Sequence, residues 1–413
     1  MRRSAPSRRA AFGFIFATVA IDMLGFGMIA PVLPKLVLAM AGSDRAQAAS
    51  IYAAFGMVFA AMQFVSAPVL GVLSDRIGRK PVIVLSTLGL GFDYILMALA
   101  PNLAWLFVGR LISGVTSANT ATAGAYIADV VPAEKRAASF GLLGAAFGIG
   151  FVIGPAVGGL LGAISPRLPF WFAAALSLAN AAYGALVVPE SLALEHRRPF
   201  AWSRANPIGS LALLRSQREL LGLAGVTFLS VLAGACLPGV YVLYVTYRYA
   251  WDERTVGLSL ALVGICSVVV QAVLMKPIVA RAGERLALAI GLSCGAVGMA
   301  IYGFANNGVA FSLGTPVLMF WGLSSAAQSM MTHRVGPSEQ GELQGAIGSL
   351  RGVSTLAGPA LFPLVLAAAV GPLRGFGVLG APWFVATAML VAATMLALAV
   401  TRPATKSVAR STG

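Results

Sequence analysis

Two long apolar stretches are joined by Gly71-Val72-Leu73-Ser74-Asp75-Arg76-Ile77-Gly78-Arg79-Lys80, a short polar segment. Gly71 and Gly78 permit a sharp turn and close helix approach, because glycine has no side chain to obstruct either. Asp75 can pair with an arginine or cap a neighbouring helix. We therefore interpret the segment as a latch between two halves of the protein, which must break when that face opens. An ordinary basic loop that sets membrane orientation is the alternative.

The composition around this segment is that of a polytopic membrane protein. The chain of 413 residues is 58% hydrophobic and only 10% charged, with a mean hydropathy of +0.86. Soluble domains carry about 25% charged residues. Apolar runs of about 20 residues, each enough to cross a bilayer as a helix, recur along the whole length.

Twelve of these runs are predicted as membrane-spanning helices. They cover approximately residues 11–33, 50–73, 81–100, 103–125, 138–162, 168–188, 219–245, 255–279, 285–304, 308–330, 342–369 and 377–400. The connection at 189–218 has no sustained apolar run and divides the spans six and six. The prediction is an all-α polytopic membrane protein with an N-terminal half at 1–188, a central cytoplasmic loop at 189–218 and a C-terminal half at 219–413.

The basic residues indicate the orientation of the chain. Placing the N-terminus in the cytoplasm puts most of the 29 Lys and Arg residues on the inner side, as the positive-inside rule requires. Six fall outside: Lys35, Arg45, Arg167, Arg248, Arg254 and Arg374. Both termini are therefore predicted to be cytoplasmic. Because the net charge of +15 is spread between spans, it does not indicate nucleic-acid binding.

The two halves repeat each other. Residues 75–80 have a weaker copy at 280–285, and Gly154-Pro155 is repeated by Gly358-Pro359, in both cases about 205 residues further on. Two parallel six-helix halves with substrate between them are a known transporter plan.

Three ionisable residues fall inside predicted spans of the first half. Asp22, Asp93 and Arg110 lie about 15, 18 and 10 Å from the starts of their spans at 1.5 Å per residue. A charge at that depth costs about 2.5–3.5 kcal/mol, and protonation is the cheapest way to keep a carboxyl group there. We therefore predict that both aspartates carry protons and that Arg110 holds one of them ionised until substrate or a proton competes. A static buried pair that serves helix packing is the alternative.

The fifth span carries small residues at a spacing of about four. Such a spacing lets helix backbones approach closely, and a proline adds a bend. We predict a helix-packing role for Gly150, Gly154, Pro155, Gly158 and Gly159. A nucleotide loop at Gly148-Ile149-Gly150 is rejected, since no strand precedes it.

These motifs resemble those of the major facilitator superfamily. Residues 71–80 match its signature loop at every defining position, and Phe107-Val108-Gly109-Arg110-Leu111-Ile112-Ser113-Gly114 is similar to its fourth-span motif, whose arginine is implicated in proton coupling. The glycine ladder resembles a motif of its drug:proton antiporters. The resemblance implies twelve helices in two pseudo-symmetric halves.

Within that superfamily the chain resembles the tetracycline efflux group. The similar segments are Asp22 to Pro34, 109–114, Ile127-Ala128-Asp129, Gly154-Pro155, 247–251 and 341–345. The resemblance implies export of an amphipathic drug in exchange for protons across the bacterial inner membrane. It assigns Asp22 and Asp93 to the group's membrane aspartates and Gln271 to a glutamine thought to touch substrate. It also places Asp129 with the latch.

The chain departs from the group in its second half. Tetracycline exporters carry an aspartate in span nine, whereas residues 290–297 contain no acid. Span eleven instead carries Arg351, about 14 Å from its start. An arginine at this depth can bind an anionic substrate group, pair with Asp22 or Asp93, or bond backbone carbonyls for helix packing.

Other residues are candidates for the substrate pathway. Polar side chains in spans either line a pathway or join helices; these are Asn119, Gln63, Gln328 and Asn180. Aromatic side chains either stack on a flat substrate or fill packing space; these are Phe26, Tyr94, Phe147, Trp321 and Tyr241.

The sequence leaves three functions open. The first is a proton-driven exporter of amphipathic small molecules, tetracycline-like or other drugs. The second is a proton symporter or facilitator for a small organic anion, with Arg351 as the anion anchor. The third is a membrane sensor or lipid-handling scaffold. We expect no enzyme, metal or cofactor, because the sequence shows no ligand cluster and no nucleophile–base pair, and we expect a monomer in contact with membrane lipid.

Overall fold

A computed structural model describes residues 8–42, 44–117, 119–131, 133–197, 218–335 and 340–401. Its described residues form helices joined by short connections, with no strand among them. Most of the predicted central loop lies outside the described residues. The side chains of Asn119 and Phe147 also lie outside them, although both residues belong to helices.

The described residues of the N-terminal half form eight α-helices. They are α1 (Arg8–Ile29), α2 (Leu33–Met40), α3 (Arg45–Ile77), α4 (Arg79–Leu99), α5 (Leu103–Thr116), α6 (Asn119–Val130), α7 (Ala133–Ile164) and α8 (Leu168–Val187). Asp44 and Asn102 begin α3 and α5 by accepting hydrogen bonds from free backbone N–H groups of the first turn.

Eight more α-helices are described in the C-terminal half. They are α9 (Arg218–Gly234), α10 (Cys236–Tyr249), α11 (Glu253–Val268), α12 (Met275–Phe304), α13 (Gly308–Met319), α14 (Ala326–Thr332), α15 (Gln340–Val370) and α16 (Ala381–Val400). A π-helical segment, Val269–Leu274, joins α11 to α12, and a 3-10 segment, Phe320–Ser325, joins α13 to α14.

Nine stretches of the described residues are long and apolar enough to cross a membrane. The chain is thus a polytopic membrane protein, as the composition predicts. One of the nine, Glu253–Phe304, has 52 residues. That is about 78 Å of helix, more than twice the thickness of a bilayer core. It is broken at Gly283, whose φ of 75° is non-helical, between the two spans predicted there. The total of twelve spans stays a prediction.

The main packing between the halves is made by two helix pairs, α3 with α15 and α7 with α11, and α10 makes smaller contacts with α2 and α3. Glycines allow the close approach of α7 and α11. A Cβ atom on Gly159 would lie 2.5 Å from the carbonyl oxygen of Glu253 and 2.8 Å from the Cα atom of Gly257. Gly150, Gly154 and Gly158 face α1 in the same way, where a side chain would strike the backbone.

Polar contacts between the halves cluster at one end of the helix bundle, which we call the sealed end. There the ammonium group of Lys35 donates to the carbonyl oxygen of Trp251 at 2.7 Å and lies 3.4 Å from the carboxylate of Glu253. The hydroxyl of Tyr247 donates to the carbonyl oxygen of Arg45 at 3.2 Å. The segment 71–80 lies at the opposite end of α3.

The core of the C-terminal half is aromatic. Tyr241, Tyr244, Tyr302, Phe311 and Trp383 are almost fully buried, and their rings contact one another. Tyr241, a candidate for stacking on substrate, is 2% exposed within this cluster. Its position is explained by packing in this conformation.

Candidate functional site

Asp93 and Arg110 lie on adjacent helices, α4 and α5, and are connected through Ser113. The Ser113 hydroxyl donates to the Asp93 carboxylate and accepts a hydrogen bond from the Arg110 guanidinium at 2.8 Å. Asp93 is 1% exposed and Arg110 is 8% exposed. Among the described residues Arg110 makes no direct ion pair. The structure therefore brings the two predicted partners together, but with a hydroxyl between them.

Ser113 is a residue that sequence reasoning did not assign. It lies three residues after Arg110, which places both side chains on one face of α5. The spacing of three residues is the sequence signal that could indicate a contact between Ser113 and Arg110. A serine in a membrane helix more often bonds its own backbone, so the sequence alone does not single it out.

Arg110 also faces an aromatic path towards the first helix. Its guanidinium carbon lies 5.2 Å from the centre of the Phe59 ring, and that ring centre is 6.2 Å from the centre of Phe26. Phe26 is 38% exposed, although it lies midway along the bundle. It follows Asp22 by about one helical turn on α1, so both belong to the same region of the helix.

Tyr94 closes the other side of α1. The position of a Cβ atom on Gly25 lies 3.0 Å from the Tyr94 hydroxyl, and Tyr94 is 3% exposed. Asp22 is partly exposed, three residues before Gly25. Gly25 of α1 thus packs against Tyr94 of α4, the helix that also carries Asp93.

Arg351 lies on α15 in the other half and meets a second predicted residue, Gln328 on α14. Its guanidinium donates to the Gln328 side-chain oxygen at 2.8 Å. Arg351 is exposed, and within the described part of the chain no carboxylate lies within ion-pair distance of it. Its neighbour Gly352 faces Phe64 of α3, so Arg351 lies beside the junction between the halves. Pairing with Asp22 or Asp93 is not made in this conformation.

Gln271 occupies the π-helical segment between α11 and α12. Its side-chain nitrogen donates to the Ser267 hydroxyl at 2.6 Å, and its Cγ atom is 3.2 Å from the position of a Cβ atom on Gly322. Single π turns inside α-helices are often found at functional sites. Gln271 is exposed.

Three other candidates lie on the 3-10 segment before α14, on α8 and on α3. Trp321 donates from its indole nitrogen to Ser230 at 2.8 Å and packs against Gly295, so packing explains it. Asn180 accepts a hydrogen bond from Thr18 at 3.4 Å and joins α8 to α1. Gln63 lies partly buried on α3.

The segment 71–80 forms a charge network inside the N-terminal half. Arg79 lies 2.6 Å from Asp75 and 3.3 Å from Asp129, at the end of α6. It also donates to the Ser74 hydroxyl at 2.6 Å. The partners of Asp75 and Asp129 are therefore in their own half in this conformation.

Glu190 completes that network, although the sequence analysis does not identify it as a functional residue. Its carboxylate accepts the backbone N–H groups of Arg79 at 2.8 Å and Lys80 at 3.2 Å, and so caps the start of α4. Gly78 has a φ of 111°, and a Cβ atom there would overlap the Glu190 carboxylate. The positive φ and the lack of space for a Cβ atom both require glycine at position 78. The capping residue is more than a hundred positions away, so no local pattern indicates it.

Groups of three or more His, Cys, Asp or Glu that could hold a metal ion are not found among the described residues. His333, 72% exposed at its side chain, lies 3.6 Å from Glu284 at the end of α14. That single contact gives no ligand set.

A family model described as Major Facilitator Superfamily matches residues 15–359. The class C tetracycline resistance protein of Escherichia coli is 38% identical over 91% of this chain and 93% of that relative. The class G protein of Vibrio anguillarum is 38% identical over 87% of this chain and 91% of that relative. The crystal structure of the human organic anion transporter MFSD10 matches with a TM-score of 0.69 at 21% identity, over 95% of this chain and all of that one.

Proposed function

The chain belongs to the major facilitator superfamily, and from that membership we propose that it exports an amphipathic small molecule in exchange for protons. Its tetracycline-resistance relatives, similar over nearly the whole chain, support this function. The observation that carries it is the buried link Asp93–Ser113–Arg110. A carboxylate inside the membrane is retained for a task, and here an arginine one hydroxyl away can respond to its charge.

Protonation would act through the Ser113 hydroxyl. An ionised Asp93 accepts a hydrogen bond from the Ser113 hydroxyl, and the oxygen of that hydroxyl accepts a hydrogen bond from Arg110. A protonated Asp93 is itself a donor, so the hydroxyl is free to turn away and the Arg110 guanidinium loses its charged counterpart. Because Arg110 also lies over Phe59, this change reaches the aromatic path to Phe26.

The substrate would bind between the halves. We propose Phe26 and Asp22 as contacts on the N-terminal side, and Arg351, Gln328 and Gln271 as contacts on the C-terminal side. All five lie in predicted spans, and the last three belong to neighbouring helices. Transporters of this plan bind substrate near the middle of the membrane, where the two halves meet.

We propose that the structure represents the inward-facing state. If both termini are cytoplasmic, the sealed end is the outer end, and its contacts close the outside. The segment 71–80 then lies at the open cytoplasmic end. The ion pairs of Arg79 within its own half agree with a latch that has released the other half. We also propose that the chain crosses the inner membrane of a bacterium twelve times.

A second function is favoured by Arg351. A guanidinium inside the membrane whose described partner is a neutral amide is suited to an anionic group of a substrate. Symport or facilitated entry of a small organic anion would use it as the anchor.

One experiment separates the two functions. Purified protein in proteoliposomes, with an imposed pH gradient, would be tested with a panel of drugs and small organic anions. An exporter moves substrate against the proton flow, whereas a symporter moves it with the flow. The absence of any substrate counterflow would contradict both. A susceptibility panel in an efflux-deficient host would identify the substrate class.

A further inference from the structure

A polar cavity of about 550 Å³ lies at the sealed end, away from the proposed substrate site. Its walls come from both halves: Asp44 and Arg45 at the start of α3, Arg248 at the end of α10, and Arg374 in the connection between α15 and α16. Because it bridges the junction, the cavity would be pulled apart when the two halves separate at this end.

The cavity is positively charged. Three arginines face one aspartate, and the Asp44 carboxylate is already engaged, because it accepts the backbone N–H groups of Ala46 at 2.9 Å and Gln47 at 3.1 Å. Arg45 lies 5.3 Å from the centre of the Tyr247 ring, and Arg248 donates to the Asn306 amide oxygen at 3.2 Å. Within the described residues none of the three arginines makes an ion pair.

Basic residues are uncommon on the outer side of membrane proteins, so their placement there calls for a reason. Two others at this end have an ion pair or two carbonyl acceptors to hold them. Lys35 pairs with Glu253, and Arg167 donates to the carbonyl oxygens of Ala98 at 3.0 Å and Ala100 at 2.9 Å. Arg45, Arg248 and Arg374 instead converge on one cavity, where their mutual repulsion opposes closure.

We propose that this cavity binds a phosphate group, either free inorganic phosphate or the headgroup of an anionic phospholipid, and that its occupancy stabilises the sealed conformation. Arginine presents a planar set of donors that matches phosphate oxygens in pairs. A ligand that binds only the sealed conformation shifts the equilibrium towards it by mass action. Phosphate bound at this end therefore opposes opening of this end.

The binding test uses the intact purified protein in a neutral detergent without added phospholipid. Inorganic phosphate is titrated while the unfolding temperature and the heat of binding are followed. Arg374→Gln and Arg248→Gln should each weaken binding about tenfold or more, as loss of a charge-assisted hydrogen bond implies. Arg254→Gln, an exposed arginine at the same end but outside the cavity, is the matched control and should bind like the parent.

A second arm distinguishes the two sources of phosphate. The same variants are placed in nanodiscs of phosphatidylcholine alone or with phosphatidylglycerol. Stabilisation by inorganic phosphate that Arg374→Gln removes identifies a free-phosphate site. Stabilisation by phosphatidylglycerol alone, also removed by Arg374→Gln, identifies a lipid headgroup site. If neither anion stabilises the parent, or both stabilise the two arginine variants and the parent equally, the site is overturned.

The effect on conformation has its own readout. Ala49 is fully buried against the C-terminal half at the sealed end. In a background without the native cysteines, Ala49→Cys should react with a maleimide only when this end opens. The anion that binds should slow this labelling several-fold, and Arg374→Gln should remove the effect. Unchanged labelling at saturating anion would overturn the conformational part. None of these measurements requires a transported substrate.

Discussion

Asp93 on α4 and Arg110 on α5 are connected by one hydroxyl group, that of Ser113, and not by a direct ion pair. A direct pair of buried charges is held strongly in one arrangement. A hydroxyl can donate or accept, so it fits both protonation states of the carboxyl group. This arrangement fits the proposed role of Asp93, in which the carboxyl group would change its charge during each transport cycle.

The first prediction concerns the carboxyl group itself. Asp93→Asn keeps the shape and the bond to Ser113 but cannot exchange a proton. We expect transport driven by a pH gradient to fall to background in proteoliposomes, while the variant is still produced and inserted. Exchange of substrate without a gradient should persist, because that process needs no net proton movement.

The matched control for this variant is Asp252→Asn. Asp252 caps α11 from outside the spans and accepts the backbone N–H of Thr255 at 2.9 Å. It should retain gradient-driven transport. Full gradient-driven transport by Asp93→Asn would refute its role as a proton carrier.

The second prediction tests the hydroxyl. Ser113→Ala leaves both charges in place and removes the connection between them. Loss of one hydrogen bond to a charged group should slow proton-coupled transport about tenfold or more. The measurement is the initial rate of substrate-induced proton movement in everted vesicles. Ser177→Ala on α8, equally buried at 1% exposed, should have little effect, and equal rates for both variants would contradict the assignment of Ser113.

The third prediction concerns Arg351. If it contacts the substrate, Arg351→Gln should weaken the apparent affinity for anionic substrates about tenfold or more and leave neutral ones nearly unchanged. Arg351→Lys keeps the charge but loses the paired donors and should be intermediate. A susceptibility panel and uptake kinetics measure both. If every substrate were affected equally, Arg351 would have a structural role.

The fourth prediction concerns stability. Glu190→Ala removes the cap from the first turn of α4, where the carboxylate accepts two N–H groups. We expect a loss of about 1 kcal/mol or more in the free energy of unfolding, seen as a lower unfolding temperature. Glu195→Ala, an exposed residue in the same connection, should change it little. An unchanged unfolding temperature for Glu190→Ala would show that water replaces the cap.

Much of the architecture follows from the sequence because membrane helices are encoded locally. An apolar run long enough to cross a bilayer must satisfy its own backbone hydrogen bonds, so it forms a helix whatever surrounds it. The family resemblance is carried by short motifs such as 71–80, whose residues are adjacent in the chain. For the same reason the sequence alone predicts that Asp93 and Arg110 lie inside membrane spans.

What joins these groups could not be predicted in the same way. The bond between Arg351 and Gln328, the capping of α4 by Glu190 and the placement of Arg45 and Arg374 around one cavity all depend on distant segments packing together. The number of helices also differs from the number of predicted spans, because a turn at 30–32 divides the first predicted span and the 3-10 segment at 320–325 divides the tenth. Tyr241 illustrates a second limit of sequence-based prediction. An aromatic residue in a span has the same pattern in sequence whether it lines a pathway or fills the core.

The last prediction uses the contact between Gly159 on α7 and Gly257 on α11. A methyl group on Gly159 would lie 2.5 Å from a backbone oxygen and 2.8 Å from a backbone carbon of the other half, and backbone cannot turn aside as a side chain can. Gly159→Ala should therefore push the halves apart at the sealed end and favour the opposite conformation. In the Ala49→Cys background it should speed maleimide labelling several-fold.

Gly148→Ala on the same helix is the matched control, because its nearest neighbour in the other half, Val268, is 3.8 Å away, an ordinary contact. Equal labelling rates for the two variants would mean that the contact between α7 and α11 does not control opening.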